Sequence, residues 1–220
     1  MYRVRVTGKK MTELCVSTDL QVQRYAYLNF KLINEGKRMT NGPSPYQSLI
    51  PYLKKIVKGD LDIPTALGLI EHIDFISQSV KESSIKSINN IEQTKLIERG
   101  LTIVSGGTPS TNIDEFQISA YPTFCADENG RRKVFIVVFK EEDPEDRKTR
   151  KMINGVLCFY FRVWSTFGLG IEPMDIEYIN LRIPFTITGS ERNCKEIDPD
   201  YQRVRELFKR AWGEFSKAVA

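Results

Sequence analysis

One histidine and four cysteines in 220 residues leave this chain short of the side chains that do most protein chemistry. With His72 alone, Ser-His and Cys-His pairs and multi-histidine metal sites have little to draw on. His72 falls in Leu69-Ile70-Glu71-His72-Ile73-Asp74-Phe75, on the polar flank of an expected helix, with no nucleophile or orienting group beside it. Cys15, Cys125, Cys158 and Cys194 are far apart, and no pair has the close spacing of a zinc knuckle. Cys125 and Cys158 lie in apolar segments, where buried free thiols are expected. No apolar run approaches the roughly 18 residues of a membrane span. The opening Met1-Tyr2-Arg3-Val4-Arg5-Val6 lacks the apolar stretch of a signal peptide, which points to the cytoplasm. Internal repeats of roughly 20–50 residues are absent too, which excludes solenoids and propellers.

What remains is ordinary globular material. Hydrophobic residues make up 41% and charged residues 27%, enough to bury a core. The net charge of +4 permits a nucleic-acid partner without requiring one.

The first half reads as helices. After a short strand over 2–7, Val22, Ala26, Leu28, Leu32 and Ile33 recur at helical spacing over 19–35, with Ser17 or Thr18 as cap and Gly36 as stop. Asn41-Gly42-Pro43 is a turn. Ser44 then caps a helix with Pro45 at its first position and Gln47 completing a capping box; Pro51 should kink it and Gly59 end it. A third helix over 64–80 carries the stripe Leu67, Ile70, Ile73, Ile76 and Val80. The polar residues 81–90 read as a loop and 91–99 as a short helix stopped by Gly100. Residues 105–112 read as a linker between a mostly helical region (1–110) and an α/β core (111–220). Gly106-Gly107 lacks a following Gly-Lys-Ser/Thr, so it is a turn and not a phosphate loop.

The second half is more regular. Residues 116–126 and 133–140 read as strands joined at Asn129-Gly130, and the run Val134-Phe135-Ile136-Val137-Val138-Phe139 fits a central strand covered on both faces. Asp143 caps the next helix with Pro144 first; that helix is apolar nearly all round from 152 to 164 and should be buried against the sheet. Residues 175–188 alternate as one strand, with Pro184 marking an edge. A last helix starts at Asp198-Pro199 and aligns Tyr201, Val204, Leu207, Phe208, Ala211, Trp212 and Phe215. Phe124, Phe135, Tyr160, Trp164 and Trp212 fall on apolar faces and read as core, not as base-stacking platforms. The expected fold is α/β: a small mixed or mainly antiparallel sheet flanked by helices, with a helical N-terminal region.

This element order, together with Pro122-Thr123 and Val138-Phe139-Lys140, resembles the core of the PD-(D/E)XK nuclease superfamily, to which restriction endonucleases and RecB-like exonucleases belong. The resemblance covers about residues 114–188 and implies a restriction-endonuclease-like core. Active members hold Mg²⁺ between an Asp near one strand end and an acidic residue on the next strand, with a Lys two positions on that prepares the attacking water. Pro122 and Lys140 match that pattern, while Thr123 and Val138 stand where the carboxylates belong.

The resemblance therefore implies a non-catalytic domain without metal or cofactor, binding nucleic acid or a protein partner. An alternative is an active nuclease using Mg²⁺ or Mn²⁺ on displaced acids. Asp127 and Glu141 would then join Lys140, with Asp114, Glu115, Glu92 and Glu98 nearby in sequence; strand alternation turns Glu141 away from Lys140. A further alternative is an interaction protein with no nucleic-acid role. Arg131, Arg132 and Lys133 at the hairpin, with Arg147, Lys148, Arg150 and Lys151 on the next helix, are candidates for a phosphate-binding patch. The acidic run Glu141-Glu142-Asp143-Pro144-Glu145-Asp146 between them could instead pair with those cations as a solvated helix end.

Overall fold

Residues 4–37, 44–75 and 77–219 are described by the computed structural model. Strand β1 (Val4–Thr7) runs straight into α1 (Gly8–Cys15), whose cap is the Thr7 hydroxyl, accepting from the Lys10 N–H at 3.1 Å. Helix α2 (Asp19–Asn34) opens with a full capping box between Thr18 and Gln21. Three helices follow: α3 (Ile50–Lys58), α4 (Ile63–Glu71) capped by Asp62, and α5 (Gln78–Asn89) capped by Ser77. The 3-10 turns Ile91–Thr94 and Ile97–Arg99 lead into β2 (Thr102–Val104), β3 (Ser110–Ile113), β4 (Phe116–Ser119), β5 (Phe124–Glu128) and β6 (Arg131–Val138). The chain ends with α6 (Arg147–Trp164), β7 (Ile176–Asn180), β8 (Phe185–Thr188) and α7 (Glu191–Val219).

The strands form two mixed sheets flanked by helices, so the class is α/β. The larger has the order β2-β5-β6-β7-β8, antiparallel throughout except where α6 carries the chain from β6 across to a parallel β7. The smaller has the order β1-β4-β3, with β1 parallel to β4. Asn129 (φ 50°) and Gly130 (φ 78°) supply the two left-handed residues that a tight β5–β6 turn needs, as the Asn-Gly pair signalled.

Strand β6 separates two cores. Val134, Ile136 and Val138 point into one, with α1, α2, α6 and α7 around it. Phe135, Val137 and Phe139 point into the other, under α3, α4 and α5. Both cores mix residues from 1–110 with residues from 111–220, and β1 pairs with β4 across that division.

Several sequence expectations shift. Pro51 sits in the first turn of α3 and kinks nothing, because the stretch before it is the separate 3-10 turn Gln47–Leu49. The helix expected over 64–80 stops at Glu71, and the supposed loop 81–90 is mostly α5. Its polar look misleads, because Ser84 and Ser87 donate back to carbonyls one turn earlier and bury with the helix. Pro122 splits the strand expected over 116–126 into β4 and β5, which belong to different sheets. The single strand expected over 175–188 is a β7–β8 hairpin; β7 is buried along its whole length, and Pro184 precedes the edge strand β8.

Helix α6 is capped by Asp146 instead of Asp143, and α7 begins at Glu191 with Pro199 inside it. Its early start is held by a disulfide between Cys158 and Cys194, so Cys158 is not the free thiol expected. Cys15 and Cys125 are free and buried, and desolvation pushes their thiols up to about 12 and about 11. The Asn41-Gly42-Pro43 turn and Ile76 lie outside the described residues.

Candidate functional site

The C-terminal end of β6 is where Thr123, Val138 and Lys140 were expected to meet, and the backbone does bring them to one place. Thr123 N–H donates to the Phe135 carbonyl at 2.8 Å. Its hydroxyl accepts from Val137 N–H at 2.9 Å and reaches the Val137 carbonyl at 3.3 Å, continuing the β5–β6 ladder past the end of β5. Val138 is in register with Asn180 of β7 and is 7% exposed, packed into the core beneath α6. Lys140, two positions on, emerges into solvent.

Three further groups close in on this strand end. Lys9 lies in the first turn of α1 and is exposed. Desolvation first, then the Lys140 charge, hold Lys9 below the usual lysine range, with Glu142 and Glu13 opposing. Glu142 accepts from the Tyr178 hydroxyl at 2.6 Å and from Asn180 Nδ2 at 3.4 Å. Burial and the Glu142 charge together raise the Tyr178 phenol well above its ordinary value. Lys9 and Tyr178 had no sequence signal as site residues, since both positions depend on how α1 and β7 dock.

This set does not fit a divalent cation, which asks for several oxygen ligands. It offers two ammonium groups and one carboxylate already engaged by a tyrosine. Among the described residues, no group of three or more His, Cys, Asp or Glu side chains comes together in a way that could hold a metal ion. The displaced acids do not converge either. Asp127 is at the hairpin end of β5, bonded to Arg132 at 2.6 Å. Arg132, near the start of β6, and Val138, at its end, are six positions apart, roughly 20 Å at the usual rise per residue, and Lys140 lies beyond that end. Glu141 is exposed beyond the strand, and Asp114 and Glu115 are tied to α7 through Arg205.

The seven candidate cations divide into two groups. Arg131 donates to Asp175 at 2.5 and 2.9 Å and also pairs with Glu172. Arg132 pairs with Asp127, and Lys133 lies 3.4 Å from Asp175 and 3.8 Å from Glu177. Arg99 joins the same network, donating twice to Glu128 and twice to Glu177. The hairpin cations are thus committed to the carboxylates of their own sheet. The acidic run 141–146 is not what holds them.

No family model matches this chain, and no curated protein matches it.

The α6 cations are placed differently. Arg147 and Lys148 have no carboxylate partner among the described residues, and Arg150 reaches only Glu145 at 3.9 Å. Lys151 pairs with Asp200 at 2.6 Å. Arg147 and Lys151 line two neighbouring grooves, about 610 and 480 Å³ in volume. The larger also takes Arg150 from α6 and Arg192 from α7; the smaller takes Lys148 and Arg203. Arg192 and Arg203 were missed as site residues. The sequence started α7 at Asp198, which left Arg192 in a loop.

Proposed function

We propose that this chain is a nuclease-like domain without nuclease chemistry, which binds nucleic acid. The observation that carries the reading is the strand end of β6. There the order antiparallel β2-β5-β6, then helix α6, then parallel β7 sets Thr123, Val138 and Lys140 near one strand end, and Lys9 lies close enough to feel the Lys140 charge, with no cluster of metal-ligating side chains among the described residues. Lysines at a strand end without metal ligands attract phosphates and leave the scissile bond alone. The cations of α6 favour the same partner.

The test is a mobility-shift titration on labelled single- and double-stranded DNA and RNA, with EDTA or Mn²⁺, across a salt series. Products are run on a denaturing gel. Binding that weakens with salt and leaves the strands intact is the expected result. Mn²⁺-dependent cleavage that Lys140→Ala abolishes would overturn it and restore the active-nuclease alternative.

A second reading, a protein partner, draws on the exposed apolar side chains of α2, with Leu20, Tyr27, Leu28 and Ile33 all 44% or more exposed. Silence in every nucleic-acid lane would favour it. No helix among the described residues is long and apolar enough to cross a membrane. The Cys158–Cys194 disulfide favours an oxidising setting.

A further inference from the structure

The groove between α6 and α7 gathers charge from parts of the chain that are distant in sequence. Arg147, Arg150 and Lys151 come from the first turns of α6, and Arg192 comes from the first turn of α7; Glu196 is the one carboxylate in the lining. Glu196 is already occupied, accepting from Arg192 at 2.6 Å and from Asn154 Nδ2 at 2.6 Å. Asn154 in turn accepts from Asn193 Nδ2 at 2.9 Å, so the wall between the helices is a closed hydrogen-bonded strip. The disulfide between Cys158 and Cys194 fixes α7 to α6 beside it. The cations therefore surround a groove whose shape is set before any ligand arrives.

Their placement is unfavourable for α6 alone. A helix N-terminus favours anions, and α6 supplies one only at its cap, where the Asp146 carboxylate accepts from Thr149 N–H at 2.7 Å; its first turn holds Arg147 and Lys148, with Arg150 and Lys151 directly after. An anion in the groove would offset that repulsion and engage the guanidinium and ammonium groups that line it. At about 610 Å³ the groove has the capacity of an ordinary ligand site, and guanidinium forks suit phosphate oxygens.

We infer that the α6–α7 groove is a phosphate-binding site, with Arg147 and Arg150 as its available cations and Lys151 and Arg192, each sharing its charge with a carboxylate (Asp200 and Glu196), beside them. Resting on the function proposed above, the phosphates it receives are those of a nucleic-acid backbone. The smaller groove on the far side of Arg147 and Lys151 adds Lys148 and Arg203, but Asp146 and Asp200 line it too and Asp19 pairs with Arg203, so the cationic site centres on the larger groove.

Inorganic tripolyphosphate and labelled duplex DNA are the two probes, titrated by calorimetry and by anisotropy in low salt. The groove variant is Arg150→Glu with Arg192→Glu, both side chains being largely exposed at 57% and 84%. The control, Lys55→Glu with Lys58→Glu, makes the same charge change on α3, across the sheet. Circular-dichroism melts establish that both variants fold.

The expected result is a loss of at least 10-fold in tripolyphosphate affinity in the groove variant and little change in the control. Duplex DNA should show a salt slope near −3 that falls by about 2 in the groove variant, at roughly 0.9 per phosphate contact. Tripolyphosphate bound in the groove with no duplex binding would uphold the site and refute the nucleic-acid reading. Duplex bound equally well by the groove variant would overturn the site and leave that reading standing. No tripolyphosphate binding at millimolar concentration would also overturn the site.

Discussion

Arg99 is where the hairpin end of the sheet is most open to test. Its guanidinium donates to both oxygens of Glu128 at 2.6 and 2.7 Å and to both oxygens of Glu177 at the same two distances. It also lies 5.2 Å from the Phe135 ring centre. The three side chains are 22%, 18% and 5% exposed, so the cluster is neither a surface pair nor a fully buried one. Exposed pairs contribute at most about 1 kcal/mol, while removing one partner of a buried pair loses about 3–5 kcal/mol. Arg99→Met keeps the apolar stem and removes all four bonds, leaving Glu177 with only Lys133 at 3.8 Å. The expected loss is about 3 kcal/mol, intermediate between the two limits and toward the buried one because Glu177 is nearly inaccessible. At roughly 2–4 °C per kcal/mol for a chain of this size, the melting temperature should fall by about 6–12 °C. Adding Glu177→Gln removes the stranded charge and should recover a good part of that loss. Urea unfolding of the single and double variants gives the numbers. A loss below about 1 kcal/mol, or a double variant no better than the single, would refute the argument that a desolvated charge is what Arg99 neutralises. Nucleic-acid affinity should not change in either variant, since these residues are committed to one another.

Three other outcomes are expected. Thiol titration of the unfolded, unreduced protein should find only Cys15 and Cys125, and Cys158→Ala with Cys194→Ala should lower stability by about 4 kcal/mol, from the chain-entropy relation applied to the 36-residue separation; four reactive thiols without reductant would sink this. Gly155→Ala puts a Cβ 2.5 Å from Thr12 Cγ2 at the α1–α6 contact and should lose about 1–3 kcal/mol, whereas Gly213→Ala meets open space on α7 and should gain up to about 1 kcal/mol; thermal melts that rank the two the other way would contradict the packing. Burial pushes the Asp175 carboxyl up, but Arg131 and the Glu172 N–H outweigh it and hold it below the usual range, and Arg99 does the same for Glu128. Depressed carboxyls mean that the unfolded chain binds more protons in acid, so this stability is present above the unfolded values near pH 4 and is lost as pH falls through the folded ones; urea midpoints from about pH 7 to about pH 3 should show that loss, and Asp175→Asn should make it shallower.

Local signals located the elements of the fold better than their ends. Thr18 with Gln21, and Asn129 with Gly130, specify a helix start and a hairpin by chemistry that acts within a few residues. The α5 serines failed that approach, because their hydroxyls are satisfied by the helix itself and then buried; Ser83 also reaches the Phe139 carbonyl, 56 positions away. Ile179, Leu181, Phe185 and Ile187 do alternate in sequence, but Asn180 Oδ1 accepts from the N–H groups of Arg182 and Ile183 and folds the chain back between β7 and β8. Pro199 looked like a helix start because the tie that begins α7 earlier, Cys194 to Cys158, joins residues that no local pattern connects. The candidate patch was half legible for the same reason. Charge and spacing identified the cations of α6, but only the sheet register brought Asp175 and Glu177 to the cations of the hairpin.

Thr123 and Val138, which the resemblance sets where carboxylates would stand, each have a structural role of their own. Thr123 uses its hydroxyl as donor and acceptor to the Val137 backbone, and an aspartate there could accept but not donate. Val138 is buried among apolar neighbours, where an acid would be driven toward its neutral form and become a poor ligand. Lys9 and Lys140 would then compete with any divalent cation for whatever negative charge remained. With its hydrogen bonds and core packing complete, this strand end does not form a divalent-metal site, and acids placed at Thr123 and Val138 would not by themselves create one.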